Sequence, residues 1–175
     1  QENTPQSPSW SNYNTAQLTL GGVTTGTNAT SYNATFTPKD DYMWPDGTTM
    51  AKTVSWSIGK AAGSLTLSKS SVTLNTSKLS DTVTVTRPGD GAISATSSDT
   101  SVATASVSGS VVTISHVNQK TGTATVTIKV AAGTNHNAPA NKTVAVTAQF
   151  MPAKGNALNT YTWAQIKQVS DAGLA

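Results

Sequence analysis

Three stretches of this chain decide its fold: residues 122–130 read G-T-A-T-V-T-I-K-V, residues 142–148 read K-T-V-A-V-T-A, and residues 81–86 read D-T-V-T-V-T. Successive side chains of a β-strand point to opposite faces of its sheet, so this alternation places apolar groups on one face and hydroxyls on the other. β-Branched residues also favour strands. The residues that we expect in a core are Val83, Val85, Val126, Ile128, Val130, Val144 and Val146.

Shorter stretches of the same kind recur between residues 65 and 115, separated by glycine, asparagine, aspartate and serine. The segment Arg87–Gly91 (R-P-G-D-G) predicts a turn, and Ser108-Gly109-Ser110 predicts a hairpin tip. About seven short strands at this spacing predict an antiparallel β-sandwich.

Aromatic side chains are distributed unevenly along the chain. Seven of the ten lie in the first 56 residues, and residues 57–149 contain none. A single shared core does not explain this asymmetry, so we expect a first module built on aromatic residues and a second built on valine, isoleucine, leucine and alanine. The strands expected in the first module are 16–20, 31–37 and 52–58. The predicted modules are residues 1–60 and 61–150, followed by a linker and helix at 151–175.

The helix expected near the C-terminus follows from Thr162-Trp163-Ala164-Gln165, which fits a capping box, and from Gly173, which suits a C-cap. A lone helix of this length is marginal in water, so we expect it to lead into a downstream domain. The predicted fold class is therefore all-β: two Ig-like antiparallel β-sandwich modules in tandem, with a short C-terminal helix.

The second module resembles the group 2, intimin/invasin-like bacterial Ig-like domains from about residue 63 to 149. The residues that carry the resemblance are L-T-L-S-K-S-S-V-T-L (65–74), S-S-D-T-S-V-A-T-A-S-V-S-G (97–109), G-T-A-T-V-T-I-K-V (122–130) and K-T-V-A-V-T-A (142–148).

The first module resembles MBG-type repeats of bacterial surface proteins from about residue 5 to 60. The matching stretches are T-T-G-T-N-A-T-S-Y-N-A-T-F-T-P (24–38), Y-M-W-P-D-G-T (42–48) and K-T-V-S-W-S-I-G-K (52–60). The two resemblances together imply a surface or prophage-encoded protein in which Ig-like modules precede a further C-terminal domain.

Composition argues against several classes of function. Charged residues make up 11% of the chain against roughly 25% in an average domain, and Arg87 is the only arginine, so no basic patch for nucleic acid is expected. No apolar run approaches the ~18 residues of a membrane helix, which predicts no membrane insertion in this segment. Without cysteine there is no disulfide, thiol nucleophile or thiolate metal site.

The residues that carry catalysis or bind metals in proteins are scarce. The two histidines, His116 and His136, have no carboxylate or second histidine nearby in the sequence, and no Gly-x-Ser-x-Gly motif occurs. We therefore predict no catalytic residue, no metal site, no cofactor and no enzymatic activity.

Two segments are candidates for ligand binding. In the first, Tyr42 and Trp44 could form an exposed aromatic platform, or they could alternate with Met43 on a strand and pack with Trp56. The second is the loop Gly133–Ala140, with the candidate residues Asn135, His136 and Asn137, which could equally be an ordinary connecting loop.

The function that these patterns favour is a non-catalytic structural or adhesion module, acting as a stalk or spacer for a C-terminal domain. The alternative is binding of a glycan or a host surface protein through the Tyr42/Trp44 loop or the Gly133–Ala140 loop. The resemblance implies an extracellular location, on a cell surface or a phage virion, and the isolated segment is expected to be a monomer.

Overall fold

A computed structural model describes residues 4–150. Within that range it contains eleven strands in three sheets and no helix, which confirms the predicted all-β class. The helix expected between Thr162 and Gly173 lies outside the described residues. No helix suited in length and hydropathy to crossing a membrane occurs between residues 4 and 150. The strands are β1 Leu18–Gly22, β2 Ser31–Pro38, β3 Lys52–Ser57, β4 Thr66–Leu67, β5 Ser71–Asn75, β6 Ser80–Thr86, β7 Ile93–Ser97, β8 Ala103–Ser108, β9 Val111–His116, β10 Gly122–Val130 and β11 Lys142–Gln149.

The chain divides into two compact units. The first comprises Gln1–Thr66, Thr86–Ile93 and Lys129–Asn141, as far as these residues are described. The second comprises Leu67–Val85, Ser94–Ile128 and Lys142–Ala175, with the same restriction. The sequence-based modules at 1–60, 61–150 and 151–175 stay a prediction.

The first unit contains one antiparallel sheet in the order β1-β2-β3. In its register Leu20 lies opposite Phe36, and Tyr32 lies opposite Trp56, so the apolar side chains share one face. Trp10 packs its ring edge-on against Phe36, with centroids 5.1 Å apart. The opposite face carries the hydroxyls and amides that alternate with these residues in the sequence.

The two-sheet sandwich predicted for residues 1–60 is therefore wrong: the described part of this range contains a single three-stranded sheet. The reason is that residues 4–17 and 39–51 form turns and irregular segments instead of further strands. From the first of these segments, Trp10 and Tyr13 pack against Phe36 on the apolar face of the sheet.

The remaining strands form two four-stranded sheets, in the orders β5-β11-β10-β7 and β4-β6-β9-β8. Apolar side chains from both sheets are buried, an arrangement consistent with a β-sandwich. The core predicted from the alternation is confirmed, since each of its residues is at most 5% exposed. These residues are Val83, Val85, Val126, Ile128, Val130, Val144 and Val146.

One strand pair departs from the predicted antiparallel arrangement. β5 pairs with β11 in parallel, with Val72 opposite Val146 and Leu74 opposite Ala148. About 70 residues separate the partners along the chain, and a parallel pair needs such a long connection, whereas a hairpin produces only antiparallel neighbours. Local alternation indicates the buried face of each strand but not the direction of its partner.

The predicted hairpin tip at Ser108-Gly109-Ser110 is confirmed. Ser108 lies opposite Val111, so two residues connect β8 and β9. Gly109 has φ of +57°, which glycine adopts at low cost in the first central position of a tight hairpin turn.

Asp81 at the start of β6 accepts hydrogen bonds from two lysines. Lys69 Nζ lies 2.8 Å from Asp81 Oδ1, and Lys78 Nζ lies 2.8 Å from Asp81 Oδ2. The carboxylate is only 12% exposed. The hydrogen bonds from Lys69 and then Lys78 lower the pKa of Asp81 to about 2.

We expect Asp81 to make stability depend on pH in the acid range. Because its folded pKa is below the unfolded value, its contribution is present above pH of about 4 and is lost as the pH falls toward about 2. Asp81→Asn should therefore lower the free energy of unfolding at pH 7, and the difference should shrink near pH 2. Urea unfolding at both pH values measures this, with the exposed Asp41→Asn as the control. A difference that persists at pH 2 would contradict the ion-pair explanation.

Candidate functional site

Trp44 lies in the segment between β2 and β3, in an irregular stretch and not on a strand. Its indole N–H donates a hydrogen bond of 2.8 Å to the carbonyl of Met50, and its side chain is half-buried. Trp56 instead stacks on Tyr32, with ring centroids 4.6 Å apart. The alternative in which Tyr42 and Trp44 alternate with Met43 on a strand is therefore wrong, because residues 39–51 form turns and irregular segments.

Trp44 borders a groove of about 450 Å³ in the first unit. The groove also contains Trp10, Tyr13 and Phe36, and the rings of Trp10 and Tyr13 each pack edge-to-face against Phe36. Polar groups of the lining include Asn12 and Lys52. We call this feature the aromatic groove, defined by Trp10, Asn12, Tyr13, Phe36, Trp44 and Lys52.

The charge of the aromatic groove is nearly balanced. Among the described residues that line it, Lys52 is the only charged one. Lys52 Nζ lies 2.7 Å from Asp46 Oδ2 and 5.1 Å from the Trp44 ring centroid. Hydrogen bonds from Lys52 and then Thr48 hold the pKa of Asp46 well below its usual range, so the carboxylate stays ionised beside the lysine. The groove therefore suits an uncharged ligand better than an ionic one.

Tyr42, the other residue of the predicted platform, does not line the aromatic groove. It is 42% exposed, and its neighbour Met43 is 67% exposed. Sequence reasoning found Trp44 but missed Trp10, Asn12, Tyr13 and Lys52. The two aromatic residues near the N-terminus were a signal, but only the fold places them beside Trp44.

The loop Gly133–Ala140 also belongs to the first unit, where its amides bind neighbouring backbone. Asn135 Oδ1 accepts a hydrogen bond of 2.7 Å from the backbone N–H of Ala29. The Asn135 carbonyl accepts from the N–H of Ala61, and the N–H of Asn137 donates to the Ala61 carbonyl, both at 2.9 Å. These contacts hold the loop in place through the Asn135 side chain and the backbone of Asn135 and Asn137.

His136, the third candidate in this loop, is half-buried and forms a parallel bridge with Ala61. With Asn135 it borders a cavity of about 300 Å³ that shares no lining residue with the aromatic groove. The structure thus separates the five predicted ligand-binding residues: Trp44 lines the groove, Asn135 and His136 border the other cavity, and Tyr42 and Asn137 line neither.

Asn135→Ala should destabilise the first unit by about 1–2 kcal/mol, because it leaves the half-buried Ala29 N–H without its acceptor. Urea unfolding of this variant measures the change. Asn137→Ala is the control, since Asn137 contributes its backbone to the same network and its side chain is exposed. Equal losses in both variants would show that the Asn135 side-chain bond is not responsible.

Two other carboxylates of the described residues, Asp90 and Asp99, accept hydrogen bonds from hydroxyl side chains in loops. Asp90 accepts hydrogen bonds from Thr134, and Asp99 accepts them from Ser101; each hydroxyl lowers the pKa of its aspartate. Between residues 4 and 150 no group of three or more His, Asp or Glu side chains is placed to hold a metal ion.

Comparisons with known proteins find similarity among solved structures alone. No protein-family model and no curated protein matches the sequence. Among solved structures, the chain is similar to "Structure of surface layer protein SbsC, domains 1-6", with 20% sequence identity over 71% of this chain and a TM-score of 0.42. The chain spans 17% of that protein's chain. A likeness at this level carries no information on function.

Proposed function

We propose that this chain is a non-catalytic structural module of a protein displayed at a cell surface, where it acts as a stalk or spacer for a C-terminal domain. The observation that supports the proposal is the distribution of the side chains, with apolar groups in the interior and polar groups on the surface. No polar or charged side chain is buried among residues 4–150, and hydroxyls occupy the outward positions of the strands. An interior used for packing alone provides a stable support and no reactive groups.

The outward surface supports the same proposal. In strand β6 the exposed Thr82 and Thr84 alternate with the buried Val83 and Val85, and other strands repeat the pattern. Hydroxyls remain hydrated without carrying charge, so changes of salt, which screen exposed charges, have little effect on such a surface. The absence of cysteine also leaves no thiol to oxidise outside a cell.

Surface display can be tested with antibodies raised against this chain and applied to intact producing cells. The proposal expects labelling without permeabilisation, and loss of the label after brief protease treatment of intact cells. Labelling only after permeabilisation, or only on phage particles, would contradict the cell-surface assignment.

The spacer role needs its own experiment. A second copy of residues 4–150 inserted in tandem should move a tag placed after residue 175 further from the cell surface and leave display intact. A matched insertion of equal length rich in glycine and serine separates a folded spacer from mere chain length. An unchanged tag position in the tandem variant would overturn the spacer role.

A second candidate function is recognition of a glycan or a host surface protein through the aromatic groove. The specific observation in its favour is the groove itself: four rings, an amide and a neutralised lysine around about 450 Å³. Aromatic side chains are common anchors in binding sites because they provide a large apolar area together with polar edges. An uncharged sugar, with apolar C–H faces and hydroxyl rims, fits these groups best.

Trp44→Ala should abolish most binding on a glycan array, with a loss of at least about tenfold, as is usual for a central aromatic anchor. Tyr42→Ala is the matched control because Tyr42 lies outside the groove lining. Asn137→Ala tests the Gly133–Ala140 loop in the same assay. Circular dichroism verifies that each variant is folded. Absence of binding by the unaltered chain, or equal loss in the Tyr42 and Trp44 variants, would contradict a site in the groove.

A further inference from the structure

We propose that the parallel pair β5–β11 is a mechanical clamp, which makes the β-sandwich resist tension applied along the chain. The inference rests on the proposed surface role, in which tension is the load that a spacer meets. The observation behind it is the direction of the strands: β5 and β11 run in parallel with Ser71 opposite Ala145 and Asn75 opposite Gln149.

The direction of the pair determines how tension reaches its hydrogen bonds. The chain enters β5 at Ser71 and leaves β11 after Gln149, and in a parallel pair these two points lie at opposite ends of the ladder. Tension at the two points pulls the strands along their axes in opposite senses. The ladder bonds then carry the load together, whereas tension at one shared end would break them one after another.

Burial reinforces the pair. Val72 and Leu74 of β5 are 3% and 0% exposed, and their partners Val146 and Ala148 are each 1% exposed. Sliding β5 past β11 would therefore move buried apolar side chains out of their packing positions while it strains the ladder. Because packing contacts and hydrogen bonds would be lost together, a closely packed interior resists small displacements.

The segment that enters β5 is fixed to β6. The N–H of Ser68 donates to the carbonyl of Thr84, and the Ser68 hydroxyl accepts from the N–H of Thr84, both at 2.9 Å. The next residue, Lys69, forms the ion pair with Asp81. Tension arriving from the N-terminal side must break these contacts before it reaches the rest of β5.

The segment that leaves β11 is fixed as well. The N–H of Phe150 donates to Thr121 Oγ1 at 3.0 Å, and Thr121 Oγ1 donates to the Phe150 carbonyl at 2.8 Å. The Phe150 ring is 6% exposed and lies 5.2 Å from the His116 ring. These contacts oppose peeling of β11 from its C-terminal end, so both ends of the clamp are closed.

Single-molecule pulling on the full chain tests the clamp, and the absence of cysteine allows two introduced cysteines to define the points of attachment. Ser70→Cys with Gln149→Cys loads the pair along its axis. Ser70→Cys with Thr143→Cys loads the same pair from one end. All three positions are exposed, so the two variants differ mainly in the direction of load.

We expect unfolding at a fixed force to be at least about tenfold slower in the axial geometry, because several ladder bonds must break in one step. Equal or faster unfolding in that geometry would overturn the clamp. Such a result would not contradict the proposed surface display. A failed labelling experiment would likewise not contradict the mechanical result.

A second variant tests the closure at Phe150 with the load applied beyond it, through Ala153→Cys in place of Gln149→Cys. Thr121→Val removes the hydroxyl that binds Phe150, whereas Thr121→Ser keeps it. The valine variant should unfold several times faster under load, and the serine variant should behave like the unaltered residue. Equal rates in all three proteins would show that the Phe150 contacts carry no load.

Discussion

Leu74→Ala should lower the free energy of unfolding of the second unit by about 2–5 kcal/mol, the range measured for buried leucines whose removal leaves a cavity. Leu74 is fully buried on β5, where it lies opposite Ala148. The small partner cannot fill the space that the leucine leaves. Chemical denaturation followed by circular dichroism measures the loss.

The matched control is Leu79→Ala, because Leu79 is the same residue type and is 45% exposed. Its loss should be below about 1 kcal/mol, since little apolar area leaves the interior. A small loss for Leu74→Ala, or equal losses for the two variants, would contradict the packing described for β5. It would also weaken the clamp, which depends on that packing.

Gly63→Ala should destabilise the first unit by about 2 kcal/mol or more. A Cβ at this position would lie 1.9 Å from the carbonyl oxygen of Asn137 and 3.1 Å from Pro139 Cδ. Because the nearest atom belongs to the backbone, no side-chain rotation relieves the clash. The loop Gly133–Ala140 must then move away from its contacts with Ala61. Thermal or urea unfolding measures the effect.

Gly59→Ala is the control for this substitution. No atom of residues 4–150 lies within 4 Å of a Cβ built at Gly59, and its φ is outside the left-handed region. We expect an unchanged or slightly higher stability, because alanine restricts the unfolded chain more than glycine does. Two similarly destabilised variants would indicate that the segment needs flexibility, and would contradict the close approach of Gly63 to Asn137.

The proposed spacer and the candidate binding site make different demands on the same unit. A spacer tolerates Trp44→Ala as long as the fold persists, whereas a binding module does not. The Trp44 indole donates to the Met50 carbonyl, so the variant also needs a stability measurement beside the binding assay. Lost binding with unchanged stability would favour recognition, and display that persists in the variant would be compatible with the spacer.

Much of the fold follows from local patterns. The strands predicted at residues 31–37 and 52–58 correspond to β2 and β3, and the predicted core valines are buried. The predictions hold because strand geometry has a period of two, so the alternation of residues alone indicates which face is apolar. The candidate site was less predictable: Trp44 was found, but the groove also needs rings from an irregular N-terminal segment.

The sequence by itself therefore determined the all-β class, the buried face of most strands and the hairpin at Gly109. The tertiary structure alone decided that β5 runs parallel to β11, that Trp10 and Tyr13 lie beside Trp44, and that Asn135 binds Ala29. The physical reason is the distance along the chain over which each kind of interaction acts. Alternation and turn residues act between neighbours along the chain, whereas strand direction and side-chain partners depend on segments that meet only when distant parts of the chain have packed.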